Sequence, residues 1–207
     1  MRVEDAKLRW SGLPAPLVNH LEGVSRGARA LAERWDVDPD DAALAGYLHD
    51  VARARSPEVL LKQAREYAVA VHPVEEAFPV LLHGAVGAAE VAKEWPELDE
   101  GFLAAISYHS TGRGEMSALE KVVFLADKLE PRGGPPEPFF EELNELAFRD
   151  LDKAVLRFLE WQVRHLLDRG NLVHPASIDA WNRLVMARGA TPLRDDKALR
   201  ALRVRSE

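Results

Sequence analysis

Six side chains that can bind metal lie among apolar residues, where an isolated polar group is expensive to bury. They are His20, His49, Asp50, His83, His109 and Asp127. A single histidine at such a position is more often a satisfied core residue than a ligand. The six residues taken together are a different case from a single histidine. One pair of metal ions could bind the imidazoles and carboxylates of all five predicted helices at once. The sequence therefore predicts a metal site built from four histidines and two aspartates.

The donor atoms of this set are nitrogen and oxygen. Such a mixture suits Fe, Mn or Zn better than Ca or Mg, which prefer oxygen ligands alone. The chain has no cysteine, which excludes disulfides, thiolate nucleophiles and cysteine-ligated zinc or iron–sulfur clusters. Neighbouring side chains on a helix point about 100° apart, so His49 and Asp50 share a cavity only if it is as broad as a two-metal site. Asp50 is the natural candidate to bridge two metals.

The overall composition is that of a compact protein with an acidic surface. The 207 residues include 47% hydrophobic residues, and 27 Lys and Arg stand against 34 Asp and Glu, giving a net charge of -7. An acidic chain lacks the basic footprint that binds nucleic acid. No window approaches the roughly 20 apolar residues that cross a bilayer. We therefore expect a cytoplasmic protein with neither a nucleic-acid partner nor a membrane partner.

Apolar residues recur at spacings of three and four, which predicts an all-α fold. Helix-start signals occur at Asp38 before Pro39, at Ser56 before Pro57, and at Ser117 with Glu120 in a capping box. The predicted helices span 15–35, 39–54, 57–69, 78–95, 99–110, 117–130, 138–169 and 177–188. Breaks rich in proline and glycine separate them near 72–79 and 131–138.

These helices predict one helical bundle with a C-terminal helical extension. We divide the chain into an N-terminal segment (1–14), a core (15–131), C-terminal helices packed on the same domain (132–190) and a basic tail (191–207). Gly84 and Gly87 follow His83 and would permit close helix approach. Trp161 and Trp181 suit either the core or an interface, so a homodimer is left open.

The order H…HD…H…H…D on helices resembles the HD-domain metal-dependent phosphohydrolases. More specifically, five segments between about residues 15 and 186 are similar to the YqeK family of symmetric diadenosine tetraphosphate hydrolases. These segments are HLEGV (20–24), AGYLHDVAR (45–53), LLHGAVGA (81–88), YHSTGRGEMSALEKVVFLADKLEP (108–131) and DLDKAV (150–155).

The resemblance implies a dinuclear metal centre of iron, with Mn or another divalent metal as the alternative. It assigns His20, His49, Asp50 and Asp127 to one metal and Asp50, His83 and His109 to the other. It implies cleavage of diadenosine tetraphosphate into two ADP by a hydroxide that the metals activate. The predicted catalytic residues are Asp50, His49 and Arg53. The predicted substrate contacts are Arg53, Thr111, Gly112, Arg113, Lys121 and Arg132.

One departure from the family pattern keeps other functions open. Asn144 stands where the family is expected to carry a second arginine after the Glu130-Pro131 segment. If that arginine grips phosphate, the substrate preference of this chain has changed. One alternative is therefore an HD phosphohydrolase acting on a nucleoside di- or triphosphate or a cyclic nucleotide. The other is a non-catalytic module that binds nucleotides as a sensor.

Overall fold

The structure is a computed structural model that describes residues 2–131 and 138–189. Within these ranges every regular element is helical, which confirms the all-α prediction. A 3-10 helix, Pro79–Leu82, lies between α5 and α6. The α-helices are α1 (Val3–Arg9), α2 (Ala15–Arg34), α3 (Pro39–Leu48), α4 (Pro57–Glu66), α5 (Pro73–Ala77), α6 (His83–Glu94), α7 (Glu100–Ser107), α8 (Ala118–Leu129), α9 (Pro138–Ala147), α10 (Leu151–Asp168) and α11 (Pro175–Ala187).

The three predicted helix starts are confirmed by their hydrogen bonds. The Asp38 carboxylate accepts from the backbone N–H groups of Asp40 and Asp41 at 2.8 and 3.0 Å. Ser56 accepts from the N–H of Val59. The Ser117 hydroxyl accepts from the Glu120 N–H, and the Glu120 carboxylate accepts from the Ser117 N–H at 3.0 Å. The reciprocal pair fixes the start of α8, the helix that carries Asp127.

One helix, α1, was not predicted, and several predicted helix boundaries were wrong. The N-terminal segment contains α1, whose Ala6 is buried and whose following Trp10 meets Trp95 edge to face at 5.1 Å. Helix α3 ends at Leu48 rather than at residue 54, and the segment 78–95 is divided into the 3-10 helix and α6. The segment 138–169 is two helices, because Asp150 has an extended backbone and caps α10 through the Lys153 N–H.

Helices α2 and α8 lie between two halves of the hydrophobic core. One half packs them against α9, α10 and α11 through residues such as Leu31, Phe124 and Leu159. The other half packs them against α1, α3, α6 and α7. The indole N–H of Trp35 donates to the Ala147 carbonyl at 2.8 Å, which ties the end of α2 to α9. The two central helices thus hold His20 and Asp127 in a fixed relation.

Three sequence predictions fall wholly or largely on residues outside the described ranges: Arg132, the break near 131–138 and the basic tail at 191–207. Trp161 and Trp181 are partly buried against the same half of the core as α9 to α11. Across the described part of the chain, no helix has both the length and the apolar character needed to span a membrane.

The interruption at Asp150, between α9 and α10, leads to a testable prediction about stability. Replacing Asp150 with Ala removes the cap and the ion pair with Arg188 at 3.1 Å. We expect a loss of about 1 kcal/mol in the free energy of unfolding, measured by urea denaturation. Asp150→Asn, which keeps an oxygen that can cap the helix, is expected to lose less. A continuous helix across 138–169 would instead make Asp150→Ala neutral or stabilising.

Candidate metal centre

The six predicted ligands meet at one place between α2, α3, α6, α7 and α8. His20 Nε2 lies 3.3 Å from His49 Nε2 and 3.3 Å from Asp127 Oδ1. His49 Nε2 lies 3.6 Å from the same Asp127 oxygen and 3.6 Å from Asp50 Oδ2. His49, Asp50 and Asp127 are buried, whereas the His20 side chain is 20% exposed. These four residues form one group of facing donor atoms.

A second group faces the other oxygen of Asp50. His83 Nε2 lies 2.7 Å and His109 Nε2 lies 3.4 Å from Asp50 Oδ1, and the two imidazole nitrogens are 3.0 Å apart. Both histidines are buried. Asp50 therefore divides its two carboxylate oxygens between the two groups, an arrangement that suits a bridging ligand.

Local backbone geometry orients three of the histidine rings. The Nδ1 atoms of His49 and His109 lie 2.7 and 2.8 Å from the carbonyl oxygens of Gly46 and Ile106. His83 Nδ1 makes the same contact with the Val80 carbonyl. Since a carbonyl oxygen only accepts, each Nδ1 carries the hydrogen and each Nε2 of a neutral ring offers a lone pair. In each case the carbonyl belongs to the residue three positions earlier.

The charged groups stabilise positive charge at the centre of the cluster. Burial would raise the pKa of Asp50, but His49, His109 and His83 outweigh it and hold that pKa well below its ordinary value. Burial likewise opposes ionisation of Asp127, yet Lys128 and the histidines keep its pKa well below the usual range. The pKa of His49 is raised despite complete burial, because Asp50 and Asp127 favour its charged form.

His109 differs from His49, because its imidazole ring does not carry a second proton at neutral pH. Burial, together with the neighbouring imidazoles of His49 and His83 and against the opposing effect of Asp50, lowers the pKa of His109 to about 4. At neutral pH His109 is therefore a neutral ring with its Nε2 lone pair directed at His83 and Asp50.

This donor set fits a metal centre. Lone pairs that face one another at 3.0 Å repel unless a cation lies between them. Among the described residues, the buried Asp50 Oδ1 has no hydrogen-bond partner of acceptable geometry. Donor atoms bound about 2.1 Å from one metal lie about 3 Å apart at neighbouring octahedral positions, close to the separations in both groups. The mixed nitrogen and oxygen donors suit a transition metal.

Two glycines allow the helices to come this close. A Cβ atom on Gly84 would lie 2.6 Å from the Ser107 carbonyl oxygen, so α6 and α7 could not approach with any larger residue. A Cβ atom on Gly46 would lie 3.1 Å from both the Val24 carbonyl oxygen and the Ala28 side chain. Gly87 is different, because its Cβ would make an ordinary contact of 3.5 Å with Val51. The expected role of Gly87 in close approach was wrong.

A cavity of about 700 Å³ opens from the cluster. Arg53 lines it, 44% exposed, with its Nε 3.9 Å from Asp50 Oδ2. The sequence did not assign Ser110 or Lys128, which also line it. Ser110 Oγ lies 3.0 Å from His109 Nε2, and Lys128 Nζ contacts Asp127 and donates to the His109 carbonyl at 3.0 Å. Both residues directly follow a predicted ligand, which is the signal that could have identified them.

Four of the other predicted substrate contacts are not among the described residues that line the cavity: Thr111, Gly112, Arg113 and Lys121. The Thr111 carbonyl accepts from the Ser177 hydroxyl, and Gly112 adopts a positive φ of 67°. Arg113 forms two hydrogen bonds to the Glu120 carboxylate at 2.7 and 2.8 Å. Lys121 pairs with Asp152 at 2.7 Å. These contacts hold α8 and its preceding loop against the neighbouring helices.

Comparison with known proteins agrees with the helical fold. The family model described as HD domain matches residues 17–132, which is more than half of the chain. A crystal structure of a predicted HD superfamily hydrolase involved in NAD metabolism from Clostridium acetobutylicum superposes with a TM-score of 0.83 at 30% identity. The alignment covers 89% of this chain and 97% of that chain. The protein is thus an HD-domain protein.

Closer relatives define the family within this class. A symmetrical bis(5'-nucleosyl)-tetraphosphatase from Staphylococcus aureus is 33% identical over 185 residues, which cover 88% of this chain and 94% of the relative. A protein of the same name from Bacillus subtilis is 34% identical, with coverage of 80% and 88%. The chain belongs to the family of symmetrical bis(5'-nucleosyl)-tetraphosphatases.

The close approach at Gly84 can be tested through its effect on metal binding. We expect Gly84→Ala to cost about 1–3 kcal/mol in stability, because the added methyl group forces α6 from α7. The same displacement separates His83 from His109, so metal content measured by elemental analysis should fall.

Gly87→Ala is the matched control on the same helix. Its methyl group fits, and replacing a helical glycine with alanine favours the folded state by about 0.5–1 kcal/mol. We expect unchanged metal content. Equal effects of the two substitutions would contradict the packing argument.

Proposed function

We propose that this protein hydrolyses dinucleoside tetraphosphates and cleaves diadenosine tetraphosphate symmetrically into two ADP. The observation that carries the proposal is the Asp50 carboxylate between two histidine groups at the end of a cavity of about 700 Å³. The relatives from Staphylococcus aureus and Bacillus subtilis bear the name of that activity.

We propose further that the cluster holds two metal ions, with iron as the native metal and Mn or another divalent metal as the alternative. His20, His49 and Asp127 would hold one ion, His83 and His109 would hold the other, and Asp50 would bridge them. When bound, such a pair neutralises phosphate charge and lowers the pKa of a bound water, so that no protein nucleophile is needed.

The protein's own residues prepare this chemistry. The three carbonyls behind His49, His83 and His109 hold each Nε2 as a ligand rather than as a donor. Lys128 is the largest favourable influence on the ionisation of Asp127 and keeps that carboxylate charged and oriented. Arg53 lines the cavity with its side chain 44% exposed, where its guanidinium can donate two hydrogen bonds to a phosphate group.

Asn144 favours the alternative that the substrate is a different nucleotide. This residue lines the cavity, so the position that departs from the family pattern faces the substrate space. A neutral amide there removes one positive charge that a tetraphosphate would use. A clear preference for a mononucleotide over diadenosine tetraphosphate would favour this alternative.

The proposed activity predicts which product forms and how strongly the rate of hydrolysis depends on Asp50. Purified protein loaded with Fe or Mn should convert diadenosine tetraphosphate to ADP alone, as resolved by ion-exchange chromatography. We expect Asp50→Ala to lower kcat/KM by about a thousandfold, because both metal groups lose a ligand. Products AMP and ATP would contradict symmetric cleavage. Tight nucleotide binding with no turnover in any metal would instead support the sensor alternative.

The two-metal arrangement predicts distinct metal losses. The wild-type protein should contain about two metal ions per chain, and His83→Ala and Asp127→Asn should each retain about one, because each change affects a different group. His72→Asn is a suitable control, since His72 lies outside the cluster and an asparagine can still cap α5. Full retention in both ligand variants would show that the ligands are misassigned.

A further inference from the structure

Ser110 lies beside the second group of ligands, and nothing described so far assigns it a function. Its Oγ is 3.0 Å from His109 Nε2 and 3.3 Å from His83 Nε2, and those two nitrogens are themselves 3.0 Å apart. The three atoms thus form a nearly equilateral triangle, and all three residues line the cavity. The serine hydroxyl therefore lies among the ligand atoms and next to the space that a substrate can enter.

The loop that carries Ser110 is held in place on both sides of this residue. Lys128 Nζ donates to the carbonyl of His109 at 3.0 Å. The buried hydroxyl of Ser177, on α11, donates to the carbonyl of Thr111 at 2.8 Å. Because both neighbouring peptide groups are tied to other helices, the Ser110 hydroxyl can move mainly by rotation of its own side chain. The fold therefore keeps it beside the two imidazoles.

The Ser110 hydroxyl has one hydrogen and two acceptors for it. The neutral rings of His83 and His109 carry their hydrogen on Nδ1, against the carbonyls of Val80 and Ile106, so each Nε2 is an acceptor. The hydroxyl can donate to only one of them at a time. When a cation takes the lone pairs of both Nε2 atoms, neither of them accepts any longer. The hydroxyl hydrogen then needs a different acceptor.

An anionic phosphate oxygen is the acceptor that best suits this position. The second group supplies three ligands, from Asp50, His83 and His109, and a catalytic metal site with three protein ligands keeps a position for water or a substrate atom. An O–H group forms a shorter and stronger hydrogen bond to an anionic oxygen than to a neutral one. A phosphate group that enters the cavity brings such oxygens to the second group.

We propose that Ser110 is a substrate-binding residue whose hydroxyl donates a hydrogen bond to an anionic phosphate oxygen of the nucleotide, beside His83 and His109. The inference rests on the metal centre of the proposed function, because the bound cation is what releases the hydroxyl from the two imidazoles. It adds to that function a neutral group that holds phosphate at the second group of ligands without binding the metal itself.

Three substitutions test this assignment. Ser110→Ala removes the hydroxyl, and Ser110→Thr keeps it. Ser107→Ala is the matched control, because Ser107 is a partly buried serine three residues earlier and is not among the described residues that line the cavity. Each protein is loaded with Mn, and its metal content is measured by elemental analysis. Calorimetric titration then gives the Kd of inorganic phosphate and the Kd of ADP.

We expect Ser110→Ala to raise the Kd of both phosphate and ADP about tenfold, because each complex loses a hydrogen bond to a charged group. Ser110→Thr and Ser107→Ala should bind both ligands as the wild-type protein does. All the proteins should contain the same amount of metal. Loss of metal from Ser110→Ala would show that the serine is a metal ligand instead, which would overturn the inference.

Other results would also overturn it. A structural role for Ser110 would lower the melting temperature of Ser110→Ala and leave both Kd values unchanged. Equal losses of affinity in Ser110→Ala and Ser110→Thr would show that the hydroxyl is not what matters. A rise in Kd for inorganic phosphate alone would indicate a site for the free ion rather than for the nucleotide.

The binding measurement requires no turnover, so it separates this inference from the proposed activity. Affinity for ADP that depends on the Ser110 hydroxyl would support the contact even if diadenosine tetraphosphate were not hydrolysed. Hydrolysis to ADP, with the Kd of ADP unchanged in Ser110→Ala, would refute the contact and leave the activity standing. A wild-type protein that binds neither phosphate nor ADP would also refute the contact.

Discussion

Three buried imidazoles lie with Nδ1 against the backbone carbonyl three residues earlier, and the rest of the site depends on this contact. It fixes the hydrogen on Nδ1, so the neutral rings of His49, His83 and His109 all present lone pairs to the centre. Without a cation, these lone pairs and the two carboxylates would face one another at an energetic cost. The protein tolerates that arrangement because the packed helices leave the rings no other position.

The fold supplies this constraint through close helix contacts. Gly46 and Gly84 remove the side chains that would keep α2 from α3 and α6 from α7. The ends of α3 and α7 then place His49 and His109 where their carbonyl partners remain free of helical hydrogen bonding. The C-terminal helices cover the opposite side of α2 and α8, and Phe140, Phe158 and Trp161 from α9 and α10 line the cavity together with the charged residues beside the cluster.

The sequence was sufficient to predict the helical class and to bring the six ligand candidates together as a set. Their residue types and apolar surroundings carried that information locally. The single helix predicted over 138–169 was wrong because the capping role of Asp150 competes with an otherwise continuous apolar pattern. The contacts of Arg113 and Lys121 were not predictable, since Arg113 folds back onto Glu120 in the first turn of α8 and Lys121 reaches Asp152 on α10. Likewise, the cavity wall at Trp161 exists only once α10 packs on α8.

The central claim is that Asp50 joins two metal positions in one buried centre. Anomalous diffraction from crystals of the metal-loaded protein, collected at the iron and manganese edges, tests it most directly. The account predicts two separate metal peaks, one beside each carboxylate oxygen of Asp50, with His20, His49 and Asp127 around one and His83 and His109 around the other. A single peak, or metal bound away from Asp50, would contradict it.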